Sequence, residues 1–288
     1  MSNTFSPTLT TSFLLEGAVT NLQNVWAPLR AFSLDASPDP YKPKATAVLK
    51  HVTAGPTTQT DATSFESGNS TIDPTSVTMH QYSTAFAVSN TDLQSGLRME
   101  DLRTLALANF SNSVIEAATA PITVGNFGAA TVISSSTAFG LSDLATLQAA
   151  LKKSPVKNLI LDGAYVARIA NNPGFFQKAG NVGGPSNGWA AYGWDGIYQN
   201  SDWTGAGTGV VGFACAPQAI AGVVGLPAAV QAPGGILEMK TAVIPGLDIS
   251  VAVYRWMNPA TRTMWCSYDV MAGFTVLDTT AGFIVTSS

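Results

Sequence analysis

The 288-residue sequence predicts an α+β fold, and three observations carry the prediction. One strong amphipathic helix spans Arg98 to Ala118. From Ile236 onward the chain reads almost wholly as strand. A helix–strand–helix order over Ser142–Ala170 implies an α/β layer between them. A chain of this length buries a real core, and length alone fits one large domain or two ordinary ones.

Composition narrows the partners. Charged residues make up 11% of the chain, against about 25% in an ordinary soluble domain. So little charge fits a surface covered by other copies of the chain, and it fits equally a neutral Ser/Thr/Gly-rich surface of the kind found on secreted β proteins. The net charge of −4 and pI near 5.0 argue against a dedicated nucleic-acid binder, whose affinity comes from neutralising phosphates with Lys and Arg. Cys215 and Cys266 stand apart from each other and from any histidine, so zinc and redox motifs are absent and buried free thiols are expected. Met1–Ser12 shows no signal-type run, and no stretch reaches the ~18 apolar residues of a membrane span. The expected location is a cytoplasm.

Taken in order, Leu15, Val19, Leu22 and Trp26 recur every three or four positions between Thr11 and Ala27, predicting a helix ended by Pro28. It is the ordered part of an otherwise Thr/Ser/Pro-rich arm. The prolines at 38, 40 and 43 make Ala36–Pro43 an extended or turning linker. Strands are expected at Ala45–Val52 and Ser76–Ser89, the second with Tyr82, Thr84, Phe86 and Val88 on one face. Between them Thr53–Pro74 is Thr, Ser, Gly and Asp with hardly a large apolar residue. The whole is a long two-stranded arm with a polar tip. An isolated hairpin buries too little in water to offset the backbone entropy of ordering it, about 1 kcal/mol or more per residue, so the arm is expected to dock on a neighbouring copy.

Asn90 and Asp92 offer a cap before the helix Arg98–Ala118, whose apolar stripe is Met99, Leu102, Ala106, Phe110, Val114 and Ala117. At ~1.5 Å per residue it is about 30 Å long, and Pro121 ends it. A strand at Thr131–Ile133 precedes a second helix from a Ser142 cap through Leu144, Leu147 and Leu151 to Lys152 and Lys153. Asn158–Leu161 is a short buried strand and Ala164–Ala170 a short helix. Gly180–Gly209 sets Trp189, Trp194, Tyr198 and Trp203 among glycines and asparagines, a pattern that predicts contact loops. Val210–Ala214 is a strand, and Ala216–Ala221 opens a short helix with Pro217 at its start. The closing strands are Leu237–Val243, Ile249–Trp256, Thr261–Asp269, Phe274–Leu277 and Phe283–Thr286, with a turn at Asn258-Pro259.

Two patterns resemble catalytic motifs and fail on context. Gly184-Pro185-Ser186-Asn187-Gly188 matches a nucleophile elbow, but no strand and helix flank it and both histidines precede it. Gly207-Thr208-Gly209-Val210-Val211-Gly212 matches a dinucleotide fingerprint, but a strand follows it, so it reads as a turn. His51 and His80 lie on the two arms of the hairpin, where they are placed to face each other without a carboxylate or thiolate pair to complete a metal site. Asn69-Ser70-Thr71 and Asn109-Phe110-Ser111 match the glycosylation pattern by chance in a cytoplasmic chain. No catalytic, cofactor-binding or metal-binding residue is expected.

The order of arm, hairpin, long helix, α/β region and returning strands resembles the major capsid proteins of tailed bacteriophages with the Hong Kong 97-type fold. The resemblance covers nearly the whole chain. Asn90–Leu102 looks like that family's passage from extended loop to spine helix, and Lys157–Gly163 like a strand of its axial domain. Gly212–Ala221 resembles its strand-to-helix element, and Val251–Leu277, containing Asp269-Val270-Met271-Ala272-Gly273, its closing strands. The resemblance implies an N-terminal arm (1–40), an extended loop (41–92), a peripheral domain with the spine helix (93–140), an axial domain (141–255) and strands returning to the peripheral domain (256–288).

It further implies an icosahedral head shell enclosing double-stranded DNA without sequence-specific binding, built from pentamers and hexamers of this chain and located in the virion. A portal, a separate scaffolding protein and a decoration or cement protein are implied partners. No membrane or cofactor is implied, and the chain is expected not to be an enzyme. Lys50, His51, Tyr82, Phe86, Trp189, Trp194, Tyr198 and Trp203 are the expected interface residues. Thr53–Pro74 has no Lys, so the Lys–Asn crosslink of some members is not expected, and no N-terminal scaffold segment is expected either. Alternatives are an encapsulin-type bacterial nanocompartment shell, which shares the fold, and a secreted β-rich binding module.

Overall fold

The computed structural model describes residues 11–52, 72–88, 99–171, 193–228, 235–258, 260–261 and 263–288. The polar tip of the hairpin, the Asn90/Asp92 cap, Gly184–Gly188, Asn69 and Trp189 lie outside the described residues.

The N-terminal segment is core. Helix α1 (Thr11–Val25) runs into a 3-10 turn (Ala27–Ala31) and strand β1 (Ser33–Tyr41). Leu14, Ala18, Leu22, Trp26 and Leu29 are all buried, while Leu15 and Val19 of the expected stripe are half-buried. The Ala31 carbonyl accepts from Asn158 Nδ2 at 3.3 Å, and the Leu14 carbonyl from the Tyr268 hydroxyl at 3.4 Å. Residues 11–40 are therefore not a free arm. The proline-rich linker is extended as expected, but it enters a sheet: β1 pairs in parallel with β9 (Ile220–Pro227), with an irregular register between Ala36 and Pro40. Prolines are tolerated there because β1 is an edge strand.

Hairpin strands β2 (Thr46–Val52) and β3 (Ile72–Thr78) form their own two-stranded sheet, and β4 (His80–Val88) continues from β3 after a break at Met79. The long helix α2 (Met99–Thr119) matches its predicted span within a residue. Its buried stripe is wider than expected, taking in Leu107, Ile115 and Ala118. A one-turn helix α3 (Val124–Phe127), strand β5 (Val132–Ile133), helix α4 (Leu141–Ala150), strand β6 (Asn158–Leu161) and helix α5 (Gly163–Ala170) follow. The α4 cap is not Ser142: Asp143 turns back and its carboxylate accepts the Gly140 N–H at 2.9 Å. Asp162 caps α5 by accepting from Ala164 N at 2.9 Å.

The rest is β: β7 (Gly196–Gln199), β8 (Val210–Cys215), β9, β10 (Ile236–Ile244), β11 (Ile249–Asn258), β12 (Thr263–Val276) and β13 (Gly282–Thr286). The helix expected at Ala216–Ala221 is one 3-10 turn, Pro217–Ala219, before β9. Ile220-Ala221-Gly222-Val223-Val224 is buried on both faces, and β-branched residues there favour a strand over a helix. The two strands expected at Thr261–Asp269 and Phe274–Leu277 are one continuous strand, β12, because Val270–Gly273 keeps its ladder. A domain boundary at 255/256 would cut β11 inside its ladder.

A six-stranded sheet has the order β1-β9-β12-β11-β10, with β4 also on β12. Met271 and Ala272 pair with both β4 and β9, so β9 follows β11 along one edge of β12 and β4 takes the other. A five-stranded sheet has the order β5-β13-β8-β6-β7. One antiparallel ribbon threads both: β9 pairs β12 in the first sheet and β8 pairs β13 in the second. Where the ribbon crosses, Ala216 N donates to Ala281 O at 2.9 Å and Leu277 N to Ala219 O at 3.0 Å. These two bonds carry main-chain hydrogen bonding from one sheet to the other.

Four rings link four segments. Trp26 lies 5.6 Å from Phe110, Phe110 6.2 Å from Tyr268, and Tyr268 6.3 Å from Phe86, centroid to centroid. Trp26 Nε1 donates to the Ser111 carbonyl at 3.2 Å, so the indole is satisfied within the core. Both cysteines are buried and free, as their isolation predicts. Burial pushes the Cys266 thiol up from 9.0 to about 11, an effect that nearby Arg255 opposes and Glu238 adds to. The Cys215 thiol is raised further.

Replacing Trp26 with Ala is expected to cost about 3–5 kcal/mol of stability, read as a lower urea midpoint with an unchanged slope. The thiols set a pH trend. Above pH 9.0 an unfolded Cys266 ionises while the folded one stays protonated until about pH 11, so stability is full below that window and falls as pH rises through it. A melting temperature that holds steady between pH 8 and 10.5 would contradict this, as would labelling of the native chain by a thiol reagent at pH 8.

Candidate assembly surface

The expected interface residues separate into three groups. Lys50 is exposed on β2 opposite Pro74, and His51 is opposite Asp73. His80 pairs with Ala272 in the six-stranded sheet, so the two histidines do not face each other. Phe86, 8% exposed, is a member of the ring column and belongs to the interior. Tyr82 is half-buried on the same face. Burial raises its hydroxyl pKa, and the Glu116 carboxylate adds to the rise.

The aromatics expected on contact loops are drawn inward. Trp194 is 1% exposed and packs in the main core. Tyr198 and Trp203 are half-buried against it. Burial raises the Tyr198 hydroxyl pKa, an effect that nearby Arg30 opposes. Trp203 Nε1 donates to the Asn200 carbonyl at 3.1 Å, and Asp202 closes the turn by accepting from Thr204 N at 3.0 Å. This loop folds back onto the end of α2: Gly207 N donates to Ile122 O at 2.9 Å, and a Cβ at Gly205 would collide with the Glu116 carbonyl. Aromatic residues among glycines mark close packing here, a reading the local sequence does not separate from a contact loop.

What projects is the β2–β3 hairpin, and its root is built. At Met79 the chain changes partner, from β2 before it (Thr46–Thr78) to β12 after it (Ala272–His80). Lys44 N donates to Met79 O at 2.7 Å and Met79 N to Ala45 O at 2.9 Å, with Lys44 in the left-handed region at φ 64°. Met79 is fully buried in a small separate core with Val77, Val223 and Met271, against which Tyr41, Ala47 and Leu49 pack. Gly273 makes the crossing possible, because a Cβ there would collide with the Thr78 carbonyl. Met79 carries no strong local signal: in the sequence it is a single apolar residue between Thr78 and His80.

Beyond the root, the pairs Ala47–Val77 and Leu49–Thr75 form the half-covered face, while Val48, 58% exposed, and Ile72, 60% exposed, stand on the other. Below the hairpin, Gln81 Nε2 donates to the buried Asp269 carboxylate at 3.1 Å, and Ser267 Oγ donates to it at 2.6 Å. β4 is thereby tied to the centre of β12 by a buried polar contact. Among the described residues no group of three His, Cys, Asp or Glu side chains gathers to hold a metal, and no helix is long and apolar enough to cross a membrane.

Met79→Ala is expected to loosen the hairpin more than the body. Tryptic cleavage after Lys50 should accelerate several-fold at a temperature where far-UV circular dichroism is unchanged. Gly273→Val should cost more, about 3 kcal/mol or above by overpacking, and equal stability of that variant in urea would refute the crossing.

No family model and no curated protein matches the sequence. Solved structures do. A chain from Microbacterium phage Oxtober96 matches over 91% of each chain at 14% identity and a TM-score of 0.52. A virus-like particle from Pyrococcus furiosus matches over 96% of this chain and all of its own, at 12% identity and a TM-score of 0.53. The mature capsid of bacteriophage PhiM1 matches over all of this chain and 90% of its own, at 7% identity and a TM-score of 0.51. At these identities the likeness is one of fold: the chain is folded, along nearly its whole length, like the chains of these phage and virus-like particle structures.

Proposed function

We propose that this chain is a major capsid protein of the Hong Kong 97 type, a structural subunit without catalytic chemistry that assembles into an icosahedral head shell around double-stranded DNA. The observation that supports this most is the hairpin. A two-stranded sheet with exposed Val48 and Ile72, held at its base by a dedicated small core, is stable only if something covers it. In a shell the cover is the adjacent copy.

In this reading the six-stranded sheet with α1 and α2 is the peripheral part, and the five-stranded sheet with α4 and α5 is the axial part. Heterologous contacts that close into rings make pentamers and hexamers from one sequence. The interior binds DNA without sequence preference, and a portal, a separate scaffolding protein and a decoration or cement protein complete the virion.

The test is negative-stain electron microscopy with multi-angle light scattering on the recombinant chain. Closed shells or free pentamers and hexamers are expected, with nucleic acid as the cargo in infected cells. A 29.9 kDa monomer at every concentration, alone and with added scaffold, would overturn the reading.

A further inference from the structure

The six-stranded sheet ends at β10, and among the described residues no strand pairs with its outer side. The cross-strand pairs Met239–Tyr254, Thr241–Ala252 and Val243–Ser250 put Met239, Thr241 and Val243 on one face. Met239 and Val243 are 48% and 54% exposed there. Glu238 and Lys240 lie on the other face, where Glu238 meets Arg255 of β11 at 2.8 Å and Lys240 at 3.7 Å. At the far end of the same sheet, β1 carries Pro38 and Pro40, which interrupt a ladder. β10 has no proline along Ile236–Ile244. The residue that would ordinarily keep copies apart on such an edge is Lys240.

The spacing of charge removes that obstacle in one arrangement. Two β10 strands meeting edge to edge in antiparallel sense are related by a two-fold axis, and the residue on the axis faces itself. Side chains directly opposite share a face, so centring on Glu238 or on Lys240 sets like charges against each other, a destabilising pair. Centring on Thr241 leaves Glu238 against Ile244, and Lys240 against Ala242, of the second copy. Centring on Met239 sets Glu238 of each copy opposite Lys240 of the other, and Met239 against itself. We infer that β10 is a self-complementary edge that pairs with β10 of a second copy, antiparallel and centred on Met239. Main-chain bonds between the two outer ladders supply affinity, the crossed Glu238–Lys240 pairs fix register, and the methionines cover each other. In a shell this contact joins copies of neighbouring rings, which ring closure alone does not do. The pairing stands on the edge itself and does not require the shell reading.

A cysteine on the axis tests the register. Opposite Cα atoms of an antiparallel pair are about 4.5–5.5 Å apart, within disulfide range, and both native thiols are buried. Under mild oxidation Met239→Cys is expected to give dimers and nothing larger on a non-reducing gel, because an isologous contact is filled by one partner. Thr241→Cys is expected to stay monomeric. Adding Lys240→Glu to Met239→Cys sets Glu against Glu twice and is expected to slow crosslinking by roughly tenfold or more. Adding Glu238→Lys as well restores opposite signs and is expected to recover the rate, which a folding defect would not do. Shells that assemble normally while Met239→Cys gives no dimers would overturn the pairing and leave the shell reading standing. Dimers from Thr241→Cys, or an unchanged rate with Lys240→Glu, would overturn the register. Dimers from Met239→Cys in a chain that never forms capsomers or shells would remove the shell reading and keep the pairing.

Discussion

The column of Trp26, Phe110, Tyr268 and Phe86 is the contact on which the rest of the structure depends. Each ring comes from a different segment: the turn that ends α1, α2, β12 and β4. Large rings bury much area for little side-chain entropy, so four in sequence dominate the energetics of the elements they join. Their packing holds α1 and α2 on one face of the six-stranded sheet and sets β4 against β12. Since β4 continues into the hairpin, the same column settles where the hairpin starts.

From that point the hairpin's direction is a matter of rigid connections. The partner change at Met79, the small core around it and the closeness allowed by Gly273 leave little room for the base to pivot. The buried Asp269 contacts tie β4 to the sheet centre. The ribbon β8–β9/β12–β13 couples this sheet to the five-stranded one. These connections fix the base of the hairpin, where small errors in angle would grow along its length.

The local reading of residues succeeded where one periodicity decided the element. The spine helix, the hairpin strands, Asn158–Leu161 and the C-terminal strands appear where apolar spacing puts them. It failed where burial overrode local chemistry. Prolines in Ser33–Tyr41 suggested a linker, yet an edge position in a parallel pair tolerates them. Phe86 and Trp194 looked like contact residues, yet both are interior, because aromatic residues serve cores and interfaces alike.

The sequence by itself determined the fold class, the projecting hairpin, the spine helix, the inert thiols and the absence of a recognisable catalytic motif, since each rests on local spacing or on residue chemistry that needs no partner. Tertiary structure alone decided that α1 and the turn after it pack into the body, that Met79 and Gly273 form the hairpin's base, and that Phe86 and Trp194 are interior. Those outcomes depend on pairings between segments far apart in the chain. Which apolar residues are covered and which stay exposed is settled by those pairings and not by the residues' own hydrophobicity.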